Sequence, residues 1–197
     1  MNKWICVPSF LLGACVLAAA FGEGVRDDEW AYYGHDPGGM RYSPLGQINR
    51  ENVATLKVAW TFHTGDVSDG RGDRKRSGFE TTPLFVDGTL YLTTPFNRVI
   101  ALDPETGTQR WAYDPKIELN GDYGDGLVNR GAATWLDSVS SSRQPCRRRI
   151  FEATQDARLV AIDAANGSPC ADATVIASSA AMPHICHFII GPPAKVE

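Results

Sequence analysis

Few side chains in this sequence are grouped as chemistry would demand, and the groupings sort quickly. "HICH" at 184–187 sets His184, Cys186 and His187 side by side. Imidazole and thiolate are zinc ligands, but a closed site needs a fuller set than this run supplies, so no metal site is assigned. "GDYGDG" at 121–126 has the glycine content of a phosphate-cradling loop, yet no helix pattern opens after it, which argues against a nucleotide site. "RGDRKR" at 71–76 gathers Arg71, Arg74, Lys75 and Arg76 within a glycine-containing stretch and reads as a solvated loop tip rather than a binding patch. Of the five cysteines, Cys6 and Cys15 fall in an apolar leading segment, Cys146 and Cys170 are placed either to form a bridge or to stay as two buried thiols, and Cys186 is left over.

The elements that must position any site come next. The chain begins "MNKWICVPSFLLGACVLAAAFGEG": a lysine, an apolar run over 4–21, then small residues. That is the pattern of an export signal over 1–22, with cleavage after Ala20 or Gly22. An uncleaved membrane anchor and a lipid-modified Cys15 are the alternatives. Export would place the protein in the periplasm. The net charge of −4 argues against a nucleic-acid binder, and 19 Gly with 12 Pro suit a turn-rich β protein. Residues 49–56 predict a short helix capped by Asn49, and the alternation in "LKVAWTFH" at 56–63 predicts a strand.

From Phe79 the rhythm becomes that of an antiparallel meander. "TPLFV", "TLYLTT", "RVIALD" and "TQRWAYD" read as four short strands, with Asp87-Gly88 supplying a hairpin turn that needs positive φ. Sliding the chain by sixty lays 90–110 on 150–170 without a gap. Thr94/Thr154, Arg98/Arg158, Ala101/Ala161, Asp103/Asp163 and Gly107/Gly167 are then identical, where chance gives about one or two such matches. A repeated four-stranded unit cannot bury both faces alone and must stack on neighbours, as propeller blades do. The repeated residues have structural roles. The aspartates accept amides across a turn, the glycines take a left-handed backbone, and Trp111 packs between sheets with its N–H bonded outward.

The phrase "ALDPETGTQRW" at 101–111 resembles the tryptophan docking motif of the quinoprotein dehydrogenases, which are eight-bladed β-propellers using pyrroloquinoline quinone (PQQ) and calcium. "YGHDPGGMRYSPLGQINRENVATLKVAWTFHTGD" resembles that family's N-terminal signature, "FETTPLFVDGTLYLTTPFNRVIALD" its first full blade, and "NRGAATW" its loop to the cofactor. "PCRRRIFEATQDARLVAIDAANGSPC" is similar to the glucose dehydrogenase branch in particular. The resemblance runs over about 29–170.

The resemblance implies an all-β fold, a partial propeller of about two four-stranded blades: one at about 79–115 and one at about 132–170 within an N-terminal region of 23–170. It implies that Glu80 contacts PQQ and that Arg130 holds it, pairing two parallel N–H bonds with a carboxylate or quinone oxygen. Where alcohol-oxidising relatives carry an adjacent cysteine pair, this chain has Asp125 and Gly126, which favours the sugar or polyol branch. The catalytic aspartate and the calcium ligands are expected in later blades, so no catalytic residue is assigned here and the chain alone is expected to be inactive. The implied partners are a sugar or alcohol substrate and a membrane quinone or cytochrome as electron acceptor. Residues 171–197 do not continue the repeat and read as an aberrant tail of a truncated or frameshifted gene. A non-enzymatic propeller scaffold of the outer-membrane assembly type is the alternative function.

Overall fold

The computed structural model describes residue 26, residues 28–170 and the backbone of 175–176. The expectations for an export signal, a lipid-modified Cys15 and the "HICH" run lie outside the described residues. Among the described residues no helix is long and apolar enough to cross a membrane.

Among the described residues, ten strands form three sheets. Strands β1 (Ser77–Thr82) and β6 (Leu127–Gly131) make a two-stranded parallel sheet. Strands β2 (Leu84–Val86), β3 (Thr89–Thr93), β4 (Val99–Leu102) and β5 (Gln109–Tyr113) form the first meander, adjacent in chain order. Strands β7 (Ala133–Leu136), β8 (Arg148–Ala153), β9 (Arg158–Asp163) and β10 (Val175–Ile176) form the second. The β2–β3 hairpin turns on Asp87 and Gly88, at φ 48° and 65°. A one-residue slip would turn every apolar side chain to the wrong face, so the register is tightly specified.

The sixty-residue step is present in the hydrogen-bond register itself. Leu90 faces Leu102 and Tyr91 faces Ala101 across β3–β4; Ile150 faces Ile162 and Phe151 faces Ala161 across β8–β9. The correspondence extends to Leu102 opposite Gln109 and Ile162 opposite Pro169. It then slips by two residues. Val99 pairs with Tyr113 in the first sheet, whereas Leu159 pairs with Val175 in the second.

The core lies where the two meanders meet face to face. Leu84, Val86, Tyr91, Val99 and Ala101 from the first pack on Ile150, Val160, Ile162 and Ala164 from the second. Each fully buried Leu, Ile or Val here contributes about 1.5–3 kcal/mol. The seam also carries polar ties. Tyr91 Oη and Trp111 Nε1 both donate to the carbonyl of Ala164, at 3.1 and 3.0 Å. Arg148 Nε donates to Asp87 on the opposite hairpin at 2.9 Å.

The docking pattern occurs twice. Trp111 covers Gly167, where an added Cβ would come within 2.7 Å of the indole. Trp60 covers Gly107 in the same way, at 2.5 Å, and its Nε1 donates to the Pro104 carbonyl at 3.0 Å. Both glycines have positive φ, 69° and 77°, so backbone and contact alike exclude a side chain. Asp103 supports the first turn. The Arg110 guanidinium and the amides of Thr106 and Glu105 hold its carboxyl down at about 2. Asp163 accepts the Ala165 amide at 2.9 Å and the Cys146 amide at 2.8 Å. The repeated arginines close the same joint from the other side: Arg98 donates to the Thr64 carbonyl at 2.6 Å and Arg158 to the Pro115 carbonyl at 2.7 Å. Each acceptor lies four residues after a docked tryptophan.

Two local expectations change. The predicted helix at 49–56 is a single 3-10 turn, Val53–Thr55. Asn49 Oδ1 accepts the amides of Glu51 and Asn52, at 2.9 and 3.3 Å, and that side-chain turn competes with a longer helix. The predicted strand at 56–63 has no ladder partner among the described residues. Its alternation comes from Trp60 and Phe62, which are half-buried between exposed neighbours, with Trp60 turned in to dock; Val58, two residues before Trp60, is exposed. A third expectation, the bridge left open between Cys146 and Cys170, has a definite answer: the two sulfurs are bonded, across 24 residues of sequence.

Candidate functional site

Glu80 and Arg130 stand on neighbouring parallel strands. The β1–β6 ladder pairs Ser77 with Leu127 and Phe79 with Asn129, so the next residues on each strand are side by side. Their side chains form an ion pair of 3.1 Å between Arg130 Nε and Glu80 Oε2, at 69% and 47% exposure. Strand alternation explains their outward orientation: Leu127 and Asn129 of β6 are buried, and Arg130 between Asn129 and Gly131 is exposed. "NRGAATW" is therefore not a loop. It is the end of β6 and most of β7, with Ala132 as the single residue between the strands.

The exposure matters for chemistry. The shortest contact to Glu80 is from Nε. Among the described residues, Nη1 and Nη2 of Arg130 have no hydrogen-bond partner, leaving the planar edge that takes a carboxylate or quinone oxygen in two parallel bonds. The pair in solvent contributes little to stability. Its residue types and geometry suit an anionic, oxygen-rich planar ligand better than a structural role.

The platform is tied to both meanders. Thr81 Oγ1 and Thr93 Oγ1 share a hydrogen bond of 2.8 Å, joining β1 to the first. Asn129 Nδ2 donates to Glu152 Oε1 at 2.6 Å, and Gln155 Nε2 donates to the Gly126 carbonyl at 2.6 Å, joining β6 and its approach to the second. Gly131 has φ 134°, and a Cβ there would lie 2.9 Å from the Thr82 carbonyl, where the β1–β6 register shifts. The Asp125-Gly126 departure has a steric cause. Gly126 has φ 77°, and an added Cβ would fall 2.5 Å from the Arg76 carbonyl, so a cysteine cannot occupy that position with this backbone.

Asn129 and Glu152 are not singled out by the sequence. The signal that could find Glu152 is the repeat itself, which puts a carboxyl where the first meander has Leu92. Burial, countered by the Asn129 bond, pushes the Glu152 carboxyl up to about 9, and its Oε2 has no partner. Trp60 is likewise missed as a docking residue, although it stands in the chain before the first docking phrase as Trp111 stands before the second. The basic run at 71–76 lies in an exposed loop, with Arg71 beside Asp69 and Lys75 beside Asp122. Among the described residues no three His, Cys, Asp or Glu side chains are grouped to hold a metal ion, so no calcium chemistry is derived for these residues.

The family model for the β-propeller domain of PQQ-dependent glucose, ethanol and alcohol dehydrogenases matches residues 30–175. The chain is 38% identical over 160 residues to quinoprotein glucose dehydrogenase A of Acinetobacter calcoaceticus, covering 76% of this chain and 20% of that protein. It is 39% identical over 151 residues to quinoprotein glucose dehydrogenase of Escherichia coli K12, covering 74% and 19%. Among solved structures, a quinohemoprotein alcohol dehydrogenase from Pseudomonas putida HK5 matches with a TM-score of 0.59 at 33% identity, over 78% of this chain and 19% of that one. The chain thus spans about a fifth of the length of these relatives. With the stacked meanders, the docked tryptophans and the family match in agreement, this chain belongs to the β-propeller family of PQQ-dependent dehydrogenases.

Proposed function

We propose that this chain supplies part of the cofactor cradle of a periplasmic PQQ-dependent dehydrogenase that oxidises a sugar, polyol or alcohol and passes electrons to a quinone or cytochrome. The observation that carries the reading is the Glu80–Arg130 pair. Its 3.1 Å contact orients a guanidinium whose remaining donors face outward from a platform anchored to two sheets. PQQ when bound supplies a two-electron quinone acceptor for hydride from a CH–OH donor. The work of this chain is to bind and orient. Arg130 offers paired N–H donors to a carboxylate or quinone oxygen, and Glu80 restrains the guanidinium rotation that would otherwise blur that geometry. Calcium belongs to the reading through the family, with its ligands outside the described residues. The similarity to glucose dehydrogenases and the glycine at 126 together support a sugar or polyol substrate.

The test is a titration of the full chain with PQQ, followed by absorbance and calorimetry, against Arg130→Ala. A hydrogen bond to a charged group contributes about 1.5–3 kcal/mol, so the variant is expected to bind at least about tenfold more weakly. Equal binding, or no binding by the unaltered chain, overturns the reading and favours a scaffold, which has no use for the pair.

A further inference from the structure

The β8 face turned toward the first meander carries Ile150 and Glu152, both at 0% exposure. The sixty-residue step puts Leu90 and Leu92 at the matching places in β3. An apolar column that admits a carboxyl gives up stability, because a buried polar group without full hydrogen bonding is costly. A position that breaks a local rule inside an otherwise consistent repeat points to function.

The hydrogen bonds show what the carboxyl is placed to do. Glu152 Oε1 accepts from Asn129 Nδ2 at 2.6 Å, and Asn129 Oδ1 accepts the amide of Gly131 at 2.9 Å. Both ends of the Asn129 amide are engaged, and this fixes which end faces down. The two residues so held, Asn129 and Gly131, flank Arg130 on either side. A Cβ added at Gly131 would lie 2.9 Å from the Thr82 carbonyl, so β6 runs close against β1 at this point. Strand alternation sends Asn129 into the seam and Arg130 out of it, so whatever fixes the first fixes the direction of the second.

We propose that Glu152 is a positioning residue for Arg130. Acting through Asn129 and the Gly131 amide, it sets the direction in which the guanidinium meets an anionic quinone ligand. The proposal rests on the reading that Arg130 binds the cofactor. Because burial keeps the Glu152 carboxyl protonated at neutral pH, it accepts the Asn129 bond without placing a negative charge beneath the arginine that would compete with the ligand.

The experiment uses the full chain and three variants. Glu152→Gln keeps the acceptor and the volume; Glu152→Leu and Glu152→Met restore the apolar column and remove the acceptor. Two readouts are taken: hydrogen exchange of the Gly131 amide with the Arg130 Nε–Hε NMR signal, without cofactor, and titration with PQQ. The Trp111 indole signal reports the fold in each. Glu152→Gln is expected to match the unaltered chain in both. The Leu and Met variants, with the Trp111 signal unchanged, are expected to exchange the Gly131 amide about tenfold faster and to bind PQQ about tenfold more weakly. Leu and Met variants with unaltered Gly131 protection and Arg130 signal overturn the proposal, as does a Gln variant as impaired as they are. If the unaltered chain binds no PQQ, the cofactor reading fails, while the exchange arm still decides whether Glu152 holds the strand.

Discussion

At the scale of the residue, Glu152 makes a pH-dependent prediction. Its folded value of about 9 lies above the ordinary 4.5, so between those values the folded chain holds a proton that the unfolded chain has released. Stability therefore falls as pH rises through this window, with a slope approaching about 1.4 kcal/mol per pH unit, and levels off above it. Thermal melts from pH 5 to pH 9 are expected to show this decline and to lose most of it in Glu152→Gln; an unchanged slope in that variant would remove the assignment. Asp103 acts at the opposite end. Its lowered value contributes stability above the ordinary 3.8 that is lost as pH falls toward about 2. Glu80 and Arg130 are singled out in the sequence by the motifs around them, "FETTPL" and "NRG", and the structure pairs them. Asn129 and Glu152 are not singled out, because what marks them is burial and a 2.6 Å contact across 23 residues of chain. No local pattern encodes such a contact.

Among the elements, strands with repeated phrases were read well and segments without a repeat were not. The matched registers of β3–β4 and β8–β9 follow from the connecting turns at 94–98 and 154–158, where the Thr94 and Thr154 hydroxyls each accept the amide of the arginine four residues on. The segment 56–63 alternates as a strand does, but alternation records only that one side is covered, and here the cover is a docked tryptophan rather than a ladder. The Cys146–Cys170 bridge is an element-scale staple. It ties the β7–β8 loop to the residue after the docking turn of the second meander. Closing a loop of this length removes freedom from the unfolded chain worth about 3 kcal/mol. Urea unfolding with reductant is expected to show an unfolding free energy lowered by about that amount, and so a lower midpoint, relative to the oxidised chain. Coincident curves would mean that the second sheet is held without it.

At the scale of the whole molecule, the two meanders share one core and one twice-used acceptor. The Ala164 carbonyl receives Tyr91 and Trp111 from the first sheet, whose rings lie 5.7 Å apart. Removing either donor leaves the carbonyl satisfied by the other. Removing both leaves a buried acceptor with no partner, which costs a further 1–3 kcal/mol or about that. A cycle of Tyr91→Phe, Trp111→Phe and the double variant, measured by denaturant unfolding, is therefore expected to be non-additive, the double variant losing about 1 kcal/mol more than the sum of the singles. Additivity would show that the two sheets are not coupled through this group. The stacked arrangement was legible because a blade-like unit cannot fold as an island, and the sixty-residue echo states that there is more than one.

The docking contacts also have a sense of direction. Trp111 is given by the first sheet and Trp60 by the extended segment ahead of it; each is received by the turn of the sheet that follows, and each arginine returns the grip from receiver to giver. Giving and receiving faces are unlike, so they join nose to tail and in a fixed rotational order. Two copies meeting by a two-fold axis through the giving face would set tryptophan against tryptophan with no carbonyl to receive either. Such a joint admits a circle or a spiral, and it refuses a mirror-like handshake.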